Sequence, residues 1–131
     1  MIGLDSNILL RAIANDDKIQ SPLARKFLST LGSSNPAYLN TIVVSEIAWT
    51  LRVRYKLTLE EVLARFDALL RSDAYIIAER QAVNRAMLRC ENHKLEFPDA
   101  LIGELNLAAG ASRTLTFDAD AGATPVFEKL T

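Results

Sequence analysis

Ile2-Gly3-Leu4-Asp5-Ser6-Asn7 reads as a short apolar strand that ends on an acid and runs straight into a helix opened by Ser6 or Asn7. Outward from this stretch the same alternation recurs. A second helix is expected from about Lys18 to Leu31, with Leu23, Phe27 and Leu31 on one face. Ala37 to Asn40 reads as a strand, and Thr41 to Tyr55 as a helix carrying Val43, Ile47 and Leu51 at a spacing of four. Thr58 followed by Glu61 is a capping-box pattern, and Leu59, Val62, Leu63, Phe66, Leu69 and Leu70 then keep the helical period. Ala74 to Ala78 is a short apolar strand. Glu79 to Asn92 is a helix with Val83, Ala86, Met87 and Cys90 inward. Pro98 suits the first turn of a helix that runs to Ala109 and stops at Gly110. Arg113 to Phe117 and Pro125 to Phe127 complete the set as strands. Strands alternating with helices predict an α/β fold with a central parallel sheet covered on both faces, and ligands in such sheets bind beyond the carboxyl ends of the strands.

Composition narrows the field. The chain has 131 residues, 50% of them apolar and 24% charged, which suits one domain over residues 1–131 with an ordinary core. No apolar run is long enough to span a membrane, and an acid at position 5 does not suit a secretory leader, so a cytoplasmic protein is expected. One cysteine, Cys90, and one histidine, His93, leave no Cys or His metal cage. Lys and Arg total 15 against 16 Asp and Glu, so the net charge of −1 is not that of a bulk nucleic-acid binder. The distribution is uneven. Arg52, Arg54 and Lys56 cluster, while Asp99, Asp118 and Asp120 sit in a more acidic C-terminal third.

Four acids stand in apolar contexts. Asp5 ends the strand Ile2-Gly3-Leu4; Glu46 lies within Val43-Val44-Ser45-Glu46-Ile47-Ala48; Asp99 follows Phe97-Pro98; Asp118 ends Leu115-Thr116-Phe117. An unpaired carboxylate in such surroundings is costly. Cations near these positions are too few to neutralise them one by one, whereas a shared divalent ion would do so, and oxygen-only ligands favour Mg²⁺ or Mn²⁺. The strands that end on Asp5 and Asp118 are expected to be neighbours at the sheet centre. Gly103, one turn after Asp99, would admit a close approach by backbone or substrate. Each acid also has a plainer account: Asp5 as a helix cap, Asp99 as a first-turn acid, Asp118 as part of a turn, and Glu46 as a solvent-facing residue.

Together, Ile2-Gly3-Leu4-Asp5-Ser6-Asn7, Val44-Ser45-Glu46-Ile47, Phe97-Pro98-Asp99-Ala100-Leu101-Ile102 and Leu115-Thr116-Phe117-Asp118 resemble the PIN-domain family, most closely its VapC-type ribonuclease toxins of type II toxin–antitoxin systems. The resemblance spans essentially the whole chain. It implies a three-layer α/β/α sandwich and a Mg²⁺- or Mn²⁺-dependent endoribonuclease, with in-line attack by water leaving a 5′-phosphate and a 3′-hydroxyl. It assigns the metal to Asp5, Glu46, Asp99 and Asp118; of these we take Asp5 and Asp99 as the direct ligands, with Glu46 and Asp118 completing the shell or positioning water. Ser6, Asn7 and Thr116 match supporting polar positions, and Asp120 matches a second acid that shares or replaces the role of Asp118. The family often has an aromatic after that acid, where this chain has Ala121-Gly122. The resemblance further implies a homodimer and inhibition by a small cognate antitoxin.

Arg52, Arg54 and Lys56, with Arg11, are candidates for holding RNA phosphates, although cations at a helix C-terminus also need no partner. Trp49 and Tyr55 are expected to pack rather than to stack on bases, His93 to be a surface residue, and Cys90 to belong to the core. Ser45 has no base beside it and is no nucleophile. Two other readings remain within the family: an RNA-processing nuclease with no toxin role, and a catalytically silent binding module. A phosphoacceptor receiver domain fits poorly, because Ala74-Tyr75-Ile76-Ile77-Ala78 has no terminal Asp and the late strand has no Lys.

Overall fold

Side chains at the strand-to-helix junctions determine where the helices begin. In a computed structural model describing residues 1–131, the order is β1 (Ile2–Gly3), α1 (Ser6–Ala14), α2 (Gln20–Leu28), β2 (Ala37–Leu39), α3 (Thr41–Val53), α4 (Leu59–Arg71), β3 (Tyr75–Ile77), α5 (Arg80–His93), α6 (Phe97–Ala108), β4 (Thr114–Thr116), α7 (Ala119–Gly122) and β5 (Phe127–Lys129). Asn40 opens α3 by accepting the Val43 N–H at 2.9 Å. Thr58 and Glu61 form the expected reciprocal capping box on α4, at 3.1 and 3.2 Å. The α/β class, parallel strands and seven helices agree with the alternation in the sequence. No helix is long and apolar enough to cross a membrane.

The chain forms two compact units, Met1–Ala78 and Glu79–Thr131. In the first, β1, β2 and β3 make a parallel ladder in that order, with Ile2 opposite Ala37 and Tyr38 opposite Ile76. Helix α1 packs on α2 and α3, and α4 on α3 and β3. Leu39, Val44, Ile47, Leu51, Val62 and Phe66 form its buried centre. In the second, α5 packs along α6 over Val83, Ala86, Cys90, Phe97 and Leu101, and β4 pairs in parallel with β5, Thr114 opposite Phe127. The strands therefore make two ladders, β1-β2-β3 and β4-β5, where one central sheet was expected.

Two element boundaries depart from the periodic reading. Helix α2 is shorter than Lys18–Leu31 and turns the opposite side inward. Leu23 is 63% exposed and Phe27 is also exposed, while Ser21 and Ala24 are buried. Small residues let α2 approach α1 closely, and Ser21 keeps its polarity satisfied by accepting the Asp17 N–H through Oγ at 3.2 Å. The last strand begins two residues later than Pro125, because proline lacks the N–H a ladder needs. Thr124 instead closes a turn, donating its hydroxyl to the Ala121 carbonyl at 2.7 Å.

Candidate active-site acids

In the first unit, Asp5 leaves β1 in extended conformation and caps α1, its Oδ1 accepting the Ser6 N–H at 2.8 Å. The cap fixes the carboxylate at the positive end of the helix and engages only one of its oxygens. Ser6 is buried beneath it, and Asn7 is exposed. Glu46 sits in the middle of α3, whose Val43, Val44, Ile47 and Ala48 face inward; Glu46 itself faces solvent. Exposure rather than pairing is what makes an acid tolerable in that apolar run. Trp49, expected to pack, is 57% exposed on the same helix.

In the second unit, Asp99 occupies the first turn of α6 and is half-buried. Burial raises its pKa above the ordinary 3.8, and the nearby charges of Asp118 and then Glu96 raise it further. Asp118 follows β4 and caps α7, its Oδ1 accepting the N–H groups of Asp120 at 2.8 Å and Ala121 at 3.4 Å. Thr116 supports it, accepting the Asp118 N–H through Oγ1 at 3.1 Å. Asp120 is exposed and contributes its backbone to this cap. Of the two C-terminal acids, Asp118 is the one whose charge acts on Asp99.

The glycines here answer to packing. A Cβ on Gly103 would lie 2.8 Å from Val126 Cγ1 and Phe127 Cε2, so the close approach at this position is made by the segment leading into β5. A Cβ on Gly122 would lie 2.7 Å from Lys129 Cβ and 3.1 Å from its backbone nitrogen, which leaves no room for a side chain after the Asp118 cap.

The proposed phosphate contacts differ in how they are engaged. Arg11 is bonded to Gln20 Oε1 at 2.8 Å and to Asp16 Oδ1 at 3.3 Å, and Arg52 donates to the Leu57 carbonyl at 2.9 Å. Arg54 is exposed, with its guanidinium 5.9 Å from the ring centre of Tyr55, whose hydroxyl donates to Asp16 at 3.1 Å. Lys56 is exposed at a left-handed turn, φ 57°. His93 is exposed at the end of α5. Cys90 is fully buried, and burial, with the charges of Glu96, Glu91 and Asp99, pushes its thiol up to about 12, so it stays protonated.

The sequence reading passed over one acid. Glu104 lies in Ala100-Leu101-Ile102-Gly103-Glu104-Leu105, an apolar context like that of Glu46, and is the acid that is truly buried, held by Arg85 and Arg89 of α5.

Parallel strands alternating with helices define an α/β protein, with Asp5 and Asp118 each following a strand. The PIN domain family matches residues 2–126, and the chain belongs to that family. PIN domains are generally nucleases, so hydrolysis is the class of activity the family indicates. No curated protein matches the chain.

PIN domains typically use divalent metals. Within neither unit are three or more His, Cys, Asp or Glu side chains gathered closely enough to hold an ion. Asp99 and Asp118 both offer the hard oxygen atoms such an ion takes, and a cation would offset the charge with which Asp118, after burial, raises the Asp99 pKa.

Proposed function

We propose that the chain is a Mg²⁺- or Mn²⁺-dependent endoribonuclease acting as the toxin of a VapBC-type toxin–antitoxin system, with residues 1–131 as a single PIN domain. The observation that carries the reading is Asp99 in the first turn of α6, its pKa raised by burial and then by the charge of Asp118, in a chain of a nuclease family. Asp5 and Glu46 are the further carboxylates assigned to the cation. When bound, the cation neutralises phosphate charge and makes water a better nucleophile.

Hydrolysis adds water across a phosphodiester. The attacking oxygen stays on phosphorus as part of a 5′-phosphate, and the 3′ oxygen takes a proton and leaves as a hydroxyl. No side-chain nucleophile is required, in keeping with the buried, protonated Cys90 and the exposed His93. Asp99 binds as its anion, so its raised pKa sets an acidic limit on activity. Thr116 and the α7 N–H groups orient Asp118, and the Ser6 N–H orients Asp5. Arg54 and Lys56 are the exposed cations for RNA phosphates, with Arg11 and Arg52 retaining their internal bonds. A cytoplasmic homodimer inhibited by a cognate antitoxin completes the proposal.

The test is cleavage of total RNA by antitoxin-free protein in Mg²⁺ or Mn²⁺. Discrete fragments are expected, abolished by EDTA and reduced on the order of a hundredfold or more by Asp99→Asn. Cleavage that survives both would overturn the metal mechanism. Induced expression is expected to halt bacterial growth with the native chain and not with Asp99→Asn; normal growth alongside metal-dependent cleavage would favour RNA processing without a toxin role.

A further inference from the structure

We infer that Arg85 and Arg89, anchored on the buried Glu104, form a second phosphate-binding subsite for the backbone of single-stranded RNA, away from Asp99 of α6. The inference rests on the RNA reading above. Glu104 is 1% exposed, and its two carboxylate oxygens each accept one bond, from Arg85 Nε at 3.2 Å and Arg89 Nε at 2.9 Å. A structural latch between α5 and α6 needs one cation for one carboxylate. Here there are two, leaving a net positive charge. The bonds to Glu104 use Nε of each guanidinium, and both arginines line a cavity of about 190 Å³ together with Leu88 and Asn92. No acid other than the neutralised Glu104 lines that cavity.

Guanidinium forks match phosphate oxygens bidentately, and a fork fixed by a buried partner loses less conformational freedom on binding than a loose one. Leu88 is exposed between the two arginines and offers an apolar contact to a ribose or an unstacked base, which favours a single strand over a duplex. Asp99 and Glu104 are about 7.5 Å apart along α6 and about 140° apart around it. The arginine pair therefore holds RNA beyond the reacting phosphate, and its loss affects binding rather than the chemical step.

The test measures binding of a labelled, uncleavable 2′-O-methyl RNA strand in EDTA by fluorescence anisotropy, between about 50 and 200 mM salt. The triple variant Arg85→Gln, Arg89→Gln, Glu104→Gln removes the buried charge together with its cations, so no unpaired carboxylate is left behind. It is expected to bind roughly tenfold more weakly, with a salt dependence shallower by about 1.4 in log–log slope, the share of two phosphate contacts on a single strand. Unchanged affinity and slope in the folded triple variant would overturn the proposal. Should that variant not fold, Arg85→Lys with Arg89→Lys keeps the charge and loses the forks: a several-fold weaker complex supports the subsite, and native affinity overturns it. Inorganic phosphate equimolar with the RNA is expected not to displace it; displacement would overturn the RNA assignment in favour of a free anion. In cleavage assays KM is expected to rise with kcat unchanged. Arginine-dependent binding by a chain that cuts nothing would leave this subsite standing and remove the nuclease reading.

Discussion

At Asp99, burial and the charge of Asp118 both favour the protonated carboxyl, and the native state therefore holds that proton more tightly than the unfolded chain does. Between the ordinary value of 3.8 and the raised one, stability falls as pH rises, because the native state binds the extra proton there. Above the raised value the full cost is present; below 3.8 it is absent. Asp99→Asn is accordingly expected to raise the melting temperature at about pH 7, with the gain fading at about pH 3, while it lowers cleavage on the order of a hundredfold or more. A lower melting temperature at neutral pH would contradict the placement of this carboxyl. Where the candidate acids fall was legible, because Asp5, Asp99 and Asp118 stand beside strands and helix starts. Their energetic standing was not legible. Glu46 and Glu104 both interrupt apolar helical runs, yet one faces water and the other is buried under two arginines, a difference fixed by helix rotation and by partners remote in sequence.

Among the elements, local signals and the inward faces of α4 and α5 read true, and the facing direction of α2 did not. The capping box at Thr58 and Glu61, the proline at the start of α6 and the periodic stripe of α4 depend on neighbours within a turn or two, so their sequences state them directly. The face of α2 is decided by what it packs on, and Leu23 and Phe27 share a side of it without that side being the buried one, while Leu31 lies beyond the helix. The small C-terminal element shows the same limit. A turn was readable at Asp118–Gly122, but its closing into a capped helical turn against Lys129 depends on β5. Gly103→Ala tests that packing: its methyl would press on Val126 and Phe127, at an expected cost of about 1–3 kcal/mol in urea unfolding. An unchanged midpoint would mean that the β5 segment does not sit against α6.

For the whole molecule, a net charge of −1 means that RNA must be attracted by local groups rather than by the overall field. The acids proposed to hold a cation would also repel phosphate until one is bound, so metal and substrate binding are expected to be coupled. Added Mg²⁺ is expected to stabilise the native chain by about 2.7 kcal/mol at a hundredfold excess over its Kd, and Asp99→Asn much less. Equal stabilisation of both proteins would place the ion elsewhere. The most direct test of the central claim is the chemistry of the new ends in RNA cut by the purified chain in Mg²⁺. Attack by water predicts 5′-phosphate and 3′-hydroxyl ends throughout. A 2′,3′-cyclic phosphate opposite a 5′-hydroxyl would mean that the RNA's own 2′-hydroxyl is the nucleophile, and would contradict the account.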